Sequence, residues 1–596
     1  AVWGDVDPER DGASSEIAKL SWPDGQTLPE DIRNSFTCPD IRTEFLPLYA
    51  ILQPDIASKR KFDAGVLANE WNAESIRKAL EPIVKDYSSW IEGQGSILDS
   101  KFSEDPELHG TGKKHLKLCR QSCDRIKNGI EFICSDEKAR AAFCFMNEVM
   151  SVKRMKENHQ KLEWFEFQMA FILQSLRGVA GKSIDEREVC DVLWFPTGGG
   201  KTEAYLGITV FATAYRRLQP DGELKNDGGV SIISRYTLRL LTIQQFQRAL
   251  GAIVAADLRR VQNWLPGSVK DGTEKIVDAV IQERVNQRRL WGNQRFSIGL
   301  WIGGDITPRD FSFQTGFRGQ RIMHAEGALS PPGSKARERN AKRTGDPAQV
   351  QKCPMCDNIL CIPHKRESAN TGELSLTWIV KSPRNADELS SIPKKTFEKR
   401  EIVLVDDPKF TRISDAPDGM AYYRLTMRIK SVSAYQKLVQ DSVDDWWRDF
   451  VKPEIDPRAD REDWSPLQST KPSMPGYFFV RLGSRPYDFA IYCTNEDCDL
   501  NRTEWFEKTE EGCTSPIPEF FRSNGTNRST SVPISAYTID EQVYARCPTF
   551  VLATSDKFAS LPYEPRCASL FGNVGCVHKH FGYGRKNPMT VVSPFR

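Results

Sequence analysis

Trp194-Phe195-Pro196-Thr197-Gly198-Gly199-Gly200-Lys201-Thr202-Glu203-Ala204-Tyr205-Leu206 is the stretch whose reading decides the fold. The small residues at 198–200 let consecutive backbone N–H groups close around a β-phosphate, Lys201 is long enough to reach the β and γ oxygens, and the Thr202 hydroxyl suits Mg²⁺. The apolar run Asp191-Val192-Leu193-Trp194 precedes the loop, and an amphipathic helix is predicted over Glu203 to Arg217. The loop therefore falls at a strand-to-helix junction, where a helix N-terminus adds positive dipole. Lys201 and Thr202 are the expected catalytic pair, with Thr197, Gly198, Gly199, Gly200 and Glu203 completing the nucleotide contacts. A plain glycine-rich turn would share the small residues without needing the Lys-Thr pair.

Outward from this point, short apolar runs alternate with helical patterns: Val189 to Phe195, Thr202 to Arg217, Gly229 to Ser234, Thr237 to Ala255, Phe296 to Trp301 and Thr549 to Ala553. That alternation predicts an α/β fold with a parallel sheet, here a P-loop domain. Before it, Ile76, Leu80, Ile83 and Tyr87, then Ile126, Ile130 and Ile133, recur at helical spacing and predict a helical N-terminal domain. The expected division is an irregular arm over 1–60, helices over 61–160, a RecA-like domain over 161–345, an insertion over 346–505, and the same RecA-like domain resumed over 506–596. With 596 residues, 39% hydrophobic and 27% charged, a disordered or collagen-like chain is excluded. A net charge of +2 confines any nucleic-acid surface to a local patch. No apolar run is long enough to cross a bilayer, and 15 cysteines without a signal peptide point to a reducing cytoplasm.

The first glycine of the generic phosphate-loop pattern is replaced by Phe195, and Pro-Thr-Gly-x-Gly-Lys-Thr resembles motif I of superfamily 2 helicases. The resemblance implies an adenine-recognising Gln upstream, for which Gln168 stands ready, although Phe167, Phe171 and Ile172 around it equally suit the core face of a helix. It also implies that the turn after Val230-Ser231-Ile232-Ile233-Ser234 binds a nucleic-acid backbone through Arg235, Thr237 and Arg239, where a solvated surface loop is the bland alternative. Gly303 and Gly304 close the next strand, and Thr554 and Lys557 the last. All four sit at carboxyl ends of strands, the ligand edge of an open α/β sheet, and are further candidates for nucleic-acid contact.

Cys353-x-x-Cys356 and Cys493-x-x-x-x-Cys498 form two knuckle-like pairs, and four thiolates from two tight turns suit a structural zinc ribbon. Cys361 and His364 are competing ligands, and a redox role for the first pair lacks its βαβ context. Ile402-Val403-Leu404-Val405-Asp406-Asp407 has the shape of a strand ending in Mg²⁺-binding acids, yet lies inside the insertion.

The Trp194 to Leu206 string, together with Ile298-Gly299-Leu300-Trp301-Ile302-Gly303-Gly304, Tyr537-Thr538-Ile539-Asp540-Glu541 and Pro548 to Ala559, resembles the DrmA-type helicases of DISARM anti-phage systems, from about Lys117 onward. The resemblance implies an ATP-dependent superfamily 2 translocase using ATP and Mg²⁺, acting on phage DNA with DrmB-like partner subunits. It further implies that the acidic Walker B motif and a second RecA-like domain follow the Asp556-Lys557-Phe558-Ala559 segment, so this sequence, which lacks an initiator Met, is expected to be the N-terminal portion. The alternatives are a nucleotide- and zinc-stabilised DNA-binding scaffold without turnover, and a P-loop enzyme of another kind such as a kinase.

Overall fold

The structure, a computed structural model, describes residues 60–193, 200–220, 228–236, 239–304, 306–312, 324–330, 345–361, 374–398, 402–416, 419–430, 447–461, 474, 476–482, 485–495, 497–501, 532–559, 561–578 and 582–584. These belong to one of two compact units; the other, Ala1–Ala57 with Trp194–Gly199, lies outside them. Thr197, Gly198, Gly199, Thr237 and His364 are therefore outside the described residues.

The first helices start where an Asp or Asn side chain accepts hydrogen bonds from backbone N–H groups: α1 (Ala64–Asn69) at Asp63, α2 (Ala73–Lys101) at Asn72, α3 (Pro106–Ser135) at Asp105 and α4 (Glu137–Asn158) at Asp136. Strand β1 (Lys61–Asp63) pairs antiparallel with β2 (Glu163–Phe165), which leads directly into α5 (Glu166–Val179). The buried faces of α2 and α3 carry the Ile and Leu residues whose spacing predicted them. Where α3 meets α5, a Cβ on Gly129 would stand 2.0 Å from the Leu173 carbonyl oxygen, so only glycine permits the approach.

Helix α6 (Lys201–Leu218) packs on α4 and α5, and β3 (Ile232–Tyr236) and α7 (Arg239–Val261) follow, then β4 (Ile298–Trp301). In the 346–505 region, β5 (Leu374–Ser382), β6 (Lys409–Ala416) and β7 (Met420–Ile429) form an antiparallel sheet in the order β6-β7-β5, extended by the short strand Asp460–Arg461. The hairpin of β8 (Tyr477–Leu482) and β9 (Arg485–Ile491) is separate from it. The chain then returns as β10 (Ala536–Tyr537), α8 (Asp540–Arg546) and β11 (Phe550–Thr554).

Strands β10, β4, β11 and β3 lie side by side in that order, all parallel, with Phe550 to Ala553 opposite Ile298 to Trp301 on one side and Phe550 to Thr554 opposite Ile232 to Tyr236 on the other. Every residue of β4 and β11 is buried, as a sheet covered on both faces requires. The molecule is thus mixed α/β with a parallel sheet. One hydrophobic core runs from Ile76 and Phe143 in the N-terminal helices through Phe211 and Phe246 to Ile298 and Leu552, and it includes Tyr477, Phe489 and Cys493 of the cysteine-bearing hairpin region. Residues 374–459 surround a second core around Val380, Leu425 and Val451. Among the described residues 189–193 no strand forms; Asp191 is instead held by Arg125 through two hydrogen bonds of 2.6 and 2.7 Å.

At the carboxyl edge of the sheet, charged groups are buried together. Asp540 pairs with Lys557, Arg566 donates to Asp310 at 2.8 Å and to both oxygens of Glu564 at 3.0 Å, and Glu541 accepts from the Phe311 N–H at 2.6 Å. Burial pushes the Asp540 carboxyl up to about 6 against the pull of Lys557. Burial likewise pushes Glu541 up to about 7, with the carboxylates of Asp310 and Asp488 adding to the rise and the Phe311 N–H opposing it.

Two outcomes are expected. Gly129→Ala should lower stability by more than about 2 kcal/mol, since the clash is with backbone that cannot rotate away; an unaltered urea midpoint would contradict the α3–α5 packing. Because Glu541 and Asp540 bind protons more tightly folded than unfolded, their contribution to stability is full below the unfolded pKa of about 4 and is lost as pH rises through about 6 to 7. Glu541→Gln should therefore flatten the fall in stability between pH 5 and pH 8, by on the order of 3 kcal/mol, as read from denaturation midpoints; parallel pH profiles would refute the assignment.

Candidate functional site

Gly200 takes φ +81°, a left-handed conformation, and a Cβ there would meet Gln168 Nε2 at 2.5 Å. Glycine is thus required at the entry of α6 for two independent reasons. Lys201 and Thr202 stand half-buried in the first turn of the helix, where the helix dipole favours an anion. Gln168 is buried and committed at both ends: its amide donates to the Gly200 carbonyl at 2.8 Å, and its oxygen accepts from the Phe165 N–H at 2.9 Å. It closes the first turn of α5 and ties that helix to the start of α6.

Glu203 follows at the same turn and is clasped by Arg248 of α7, whose Nη2 reaches both carboxylate oxygens at 2.8 and 2.9 Å. Arg248 Nη1 lies 3.4 Å from the Thr202 hydroxyl, and Lys153 approaches Glu203 from the other side at 3.7 Å. Arg248 carried no signal in the sequence, because its partners are 45 and 46 residues away and the local pattern is simply a polar turn of an amphipathic helix. Beside Thr202 opens a cavity of about 980 Å³ bordered by Tyr205, Arg125, Asp191, Ser234 and Arg235.

The expected strand-contacting residues are placed unequally. Arg235 is exposed at the end of β3; Arg239 opens α7. Gly304 is exposed and Gly303 half-buried just beyond β4. Thr554, by contrast, is buried at the end of β11, and Lys557 is only 12% exposed along its side chain and held by Asp540. Asp406 pairs with Arg428, and the Asp407 carboxylate accepts from the Lys394 N–H at 2.9 Å; both belong to the neighbourhood of the second core and not to that of Thr202.

The four cysteines of the two pairs converge. All four Sγ atoms lie within 4.8 Å of one another, with Cys353 to Cys498 at 3.7 Å and Cys356 to Cys493 at 3.4 Å. A tetrahedral ion with metal–sulfur bonds of about 2.3 Å requires sulfur–sulfur edges of about 3.8 Å, so the group fits zinc or a similar ion. The knuckles are shaped by backbone: Cys353 N donates to the Asn358 carbonyl at 2.8 Å, Asp357 takes φ 57°, and Asn501 donates to the Cys493 and Asn495 carbonyls at 2.8 and 2.7 Å. Asn358 joins the two knuckles through Thr494 Oγ1 at 2.8 Å. The four thiols share their protons as a group: hydrogen bonds from Cys353, Cys493 and Cys498 hold the Cys356 thiol below its usual range, while burial pushes Cys353 up and hydrogen bonds from its neighbours push Cys493 up. Cys361 is buried but outside this group. No helix among the described residues is long and apolar enough to cross a membrane.

A scan against protein-family models finds no match. The chain is 26% identical over 544 residues to the DISARM protein DrmA of Bacillus paralicheniformis, an alignment covering 87% of this chain and 32% of the relative. It spans about a third of the length of that curated relative. The similarity is thus to a DISARM protein of the DrmA type, the type that the Trp194 to Leu206 stretch resembles.

Proposed function

We propose that the chain is the nucleotide-binding portion of an ATP-dependent DNA translocase that acts on phage DNA in bacterial defence. The observation that carries the reading is the Phe195 to Thr202 sequence running into a helix whose first turn presents Lys201 and Thr202 behind a left-handed Gly200. On this reading the parallel sheet is RecA-like, Lys201 neutralises the β and γ phosphates, and the Thr202 hydroxyl ligates Mg²⁺. Gln168, which donates to the Gly200 carbonyl, is the adenine-recognising candidate beside that turn. Arg235, Thr237, Arg239, Gly303 and Gly304 line the track for one DNA strand, and Lys557 joins them only if it leaves Asp540. Zinc at Cys353, Cys356, Cys493 and Cys498 locks the base of the insertion, and DrmB-like subunits are the partners. The similarity to DrmA supports the defence setting.

A second reading, a nucleotide- and zinc-stabilised DNA-binding scaffold without turnover, is favoured by one observation. The acid beside Thr202 is Glu203, and it is already engaged by Arg248 and Lys153, while Asp406 and Asp407 sit elsewhere. DNA-stimulated hydrolysis by the 596 residues alone would exclude it.

Lys201→Ala is expected to lower ATP hydrolysis by the full-length protein about 100-fold, as loss of a phosphate-loop cation should; an unchanged rate would sink the translocase reading. Arg235→Ala should weaken DNA binding evenly across sequences and reduce the salt slope by about 1, which a filter-binding series in salt would show. Purified protein should carry about one zinc per chain. Cys493→Ser should remove most of it and lower the melting temperature, and metal analysis finding the variant fully loaded would rule out the four-thiolate site.

A further inference from the structure

The inference rests on the nucleotide reading of Lys201 and Thr202 and concerns how that site communicates. Arg248 of α7 touches both Thr202 and Glu203, at 3.4 Å and at 2.8 and 2.9 Å. The surrounding charges cancel: Glu203 and Glu157 face Lys153 and Arg248, with Lys153 buried and bonded to Glu157 at 2.7 Å. Helix α7 packs on α6, on β3, β4 and β11, and on α4. It is continuous from Arg248 back to Arg239, about 13 Å of helix, and so reaches from the phosphate-binding turn to the end of β3, where Arg235 is exposed.

We propose that Arg248 is a positioning residue that couples occupancy of the nucleotide site to the grip on DNA at Arg235. A hydroxyl oxygen has two lone pairs, so the Thr202 oxygen, which accepts from Arg248 at 3.4 Å, has the capacity for a second partner. A divalent cation held with the nucleotide at the Thr202 hydroxyl would repel the Arg248 guanidinium. Arg248 then either withdraws from Thr202 or is driven harder onto Glu203. In both cases the α6–α7 contact changes, and α7 carries the change to its own first turn beside β3. Thermodynamic linkage makes the effect reciprocal, so DNA bound at that turn alters nucleotide affinity by the same factor.

The test is the ratio of DNA dissociation constants with and without a non-hydrolysable ATP analogue and Mg²⁺, measured on the full-length protein with a labelled duplex bearing a single-stranded overhang. The ratio should differ from one by at least about fivefold in the unaltered protein. Arg248→Gln should bring it to within about twofold of one, whatever happens to either affinity alone, and Arg248→Lys, which keeps the charge near Glu203 but not the fork, should give an intermediate ratio. A merely structural Arg248 would lower both affinities and leave the ratio intact, and that result overturns the proposal. If Arg248→Gln does not fold, the ratio in Arg248→Lys decides alone, an unshifted value being fatal. Should Lys201→Ala bind the analogue as tightly as the unaltered protein, the nucleotide reading itself fails, an outcome separable from a failure of the coupling.

Discussion

Asp257 carries a charge at 1% exposure, and much of the molecule is arranged to satisfy it. Arg260 donates to it at 2.8 Å, Arg295 at 2.9 and 2.8 Å, and the Phe296 N–H at 3.0 Å. Burial alone would raise its pKa, but the two guanidiniums hold the carboxyl below its usual range. Removing one member of such a cluster strands the others, at a cost of about 3 to 5 kcal/mol, so the segment entering β4 is fixed relative to α7. Arg217 completes the arrangement from the end of α6. It is 2% exposed, donates to the carbonyls of Trp291, Gln294 and Arg295 at 2.9, 2.6 and 3.0 Å, and lies 3.6 Å over the Phe296 ring. The last turn of α6, the last turns of α7 and the start of β4 are thereby one joint.

That joint matters to Lys201 and Thr202 because α6 is an 18-residue helix, about 27 Å of stiff rod. Its far end is pinned by Arg217, its middle by Gly207, whose missing side chain lets Met146, Ile172 and Trp164 approach, and its near end by Gln168 and Arg248. Lys201 and Thr202 therefore stand on a helix held by contacts with α4, α5 and α7. A turn held this way can present donors to an anion without a large ordering cost on binding.

The parts of the fold legible in the sequence are those set by local rules. The helical spacing of Ile76, Leu80 and Ile83, that of Ile126, Ile130 and Ile133, and the apolar runs at Ile298 and Phe550 all act within a few residues, and each produced its element. The cysteine pairs were legible because two short turns bearing thiols have few other uses. What escaped depends on distant partners. Residues 189–193 have a strand's composition, but a strand needs a neighbour, and Asp191 finds Arg125 instead. Thr554 and Lys557 sit at a strand end as expected, yet Asp540, 17 residues before Lys557, claims its ammonium group. Asp406 and Asp407 illustrate the converse: an apolar run ending in acids is common to strands of any sheet, and here it serves the insertion's own core.

The cysteine group also explains how so long an insertion leaves the parallel sheet intact. Cys353 and Cys498 are 145 residues apart in sequence and 3.7 Å apart in space. The second knuckle borders the segment that enters the sheet: Val532 N–H donates to the Leu500 carbonyl at 2.9 Å, Ile534 N–H to the Ile491 carbonyl at 2.7 Å, and Ala536 pairs with Ile298. Asp488 of the same hairpin region accepts from Gln542 at 2.7 Å and Arg546 at 2.8 Å, which fastens α8 as well. An ion held by the four sulfurs would close the loop at its base, where the entropy cost of closure rises only slowly with loop length. The antiparallel sheet of residues 374–461, with its separate core, can then vary in sequence and size while β10, α8 and β11 keep their register beside β4.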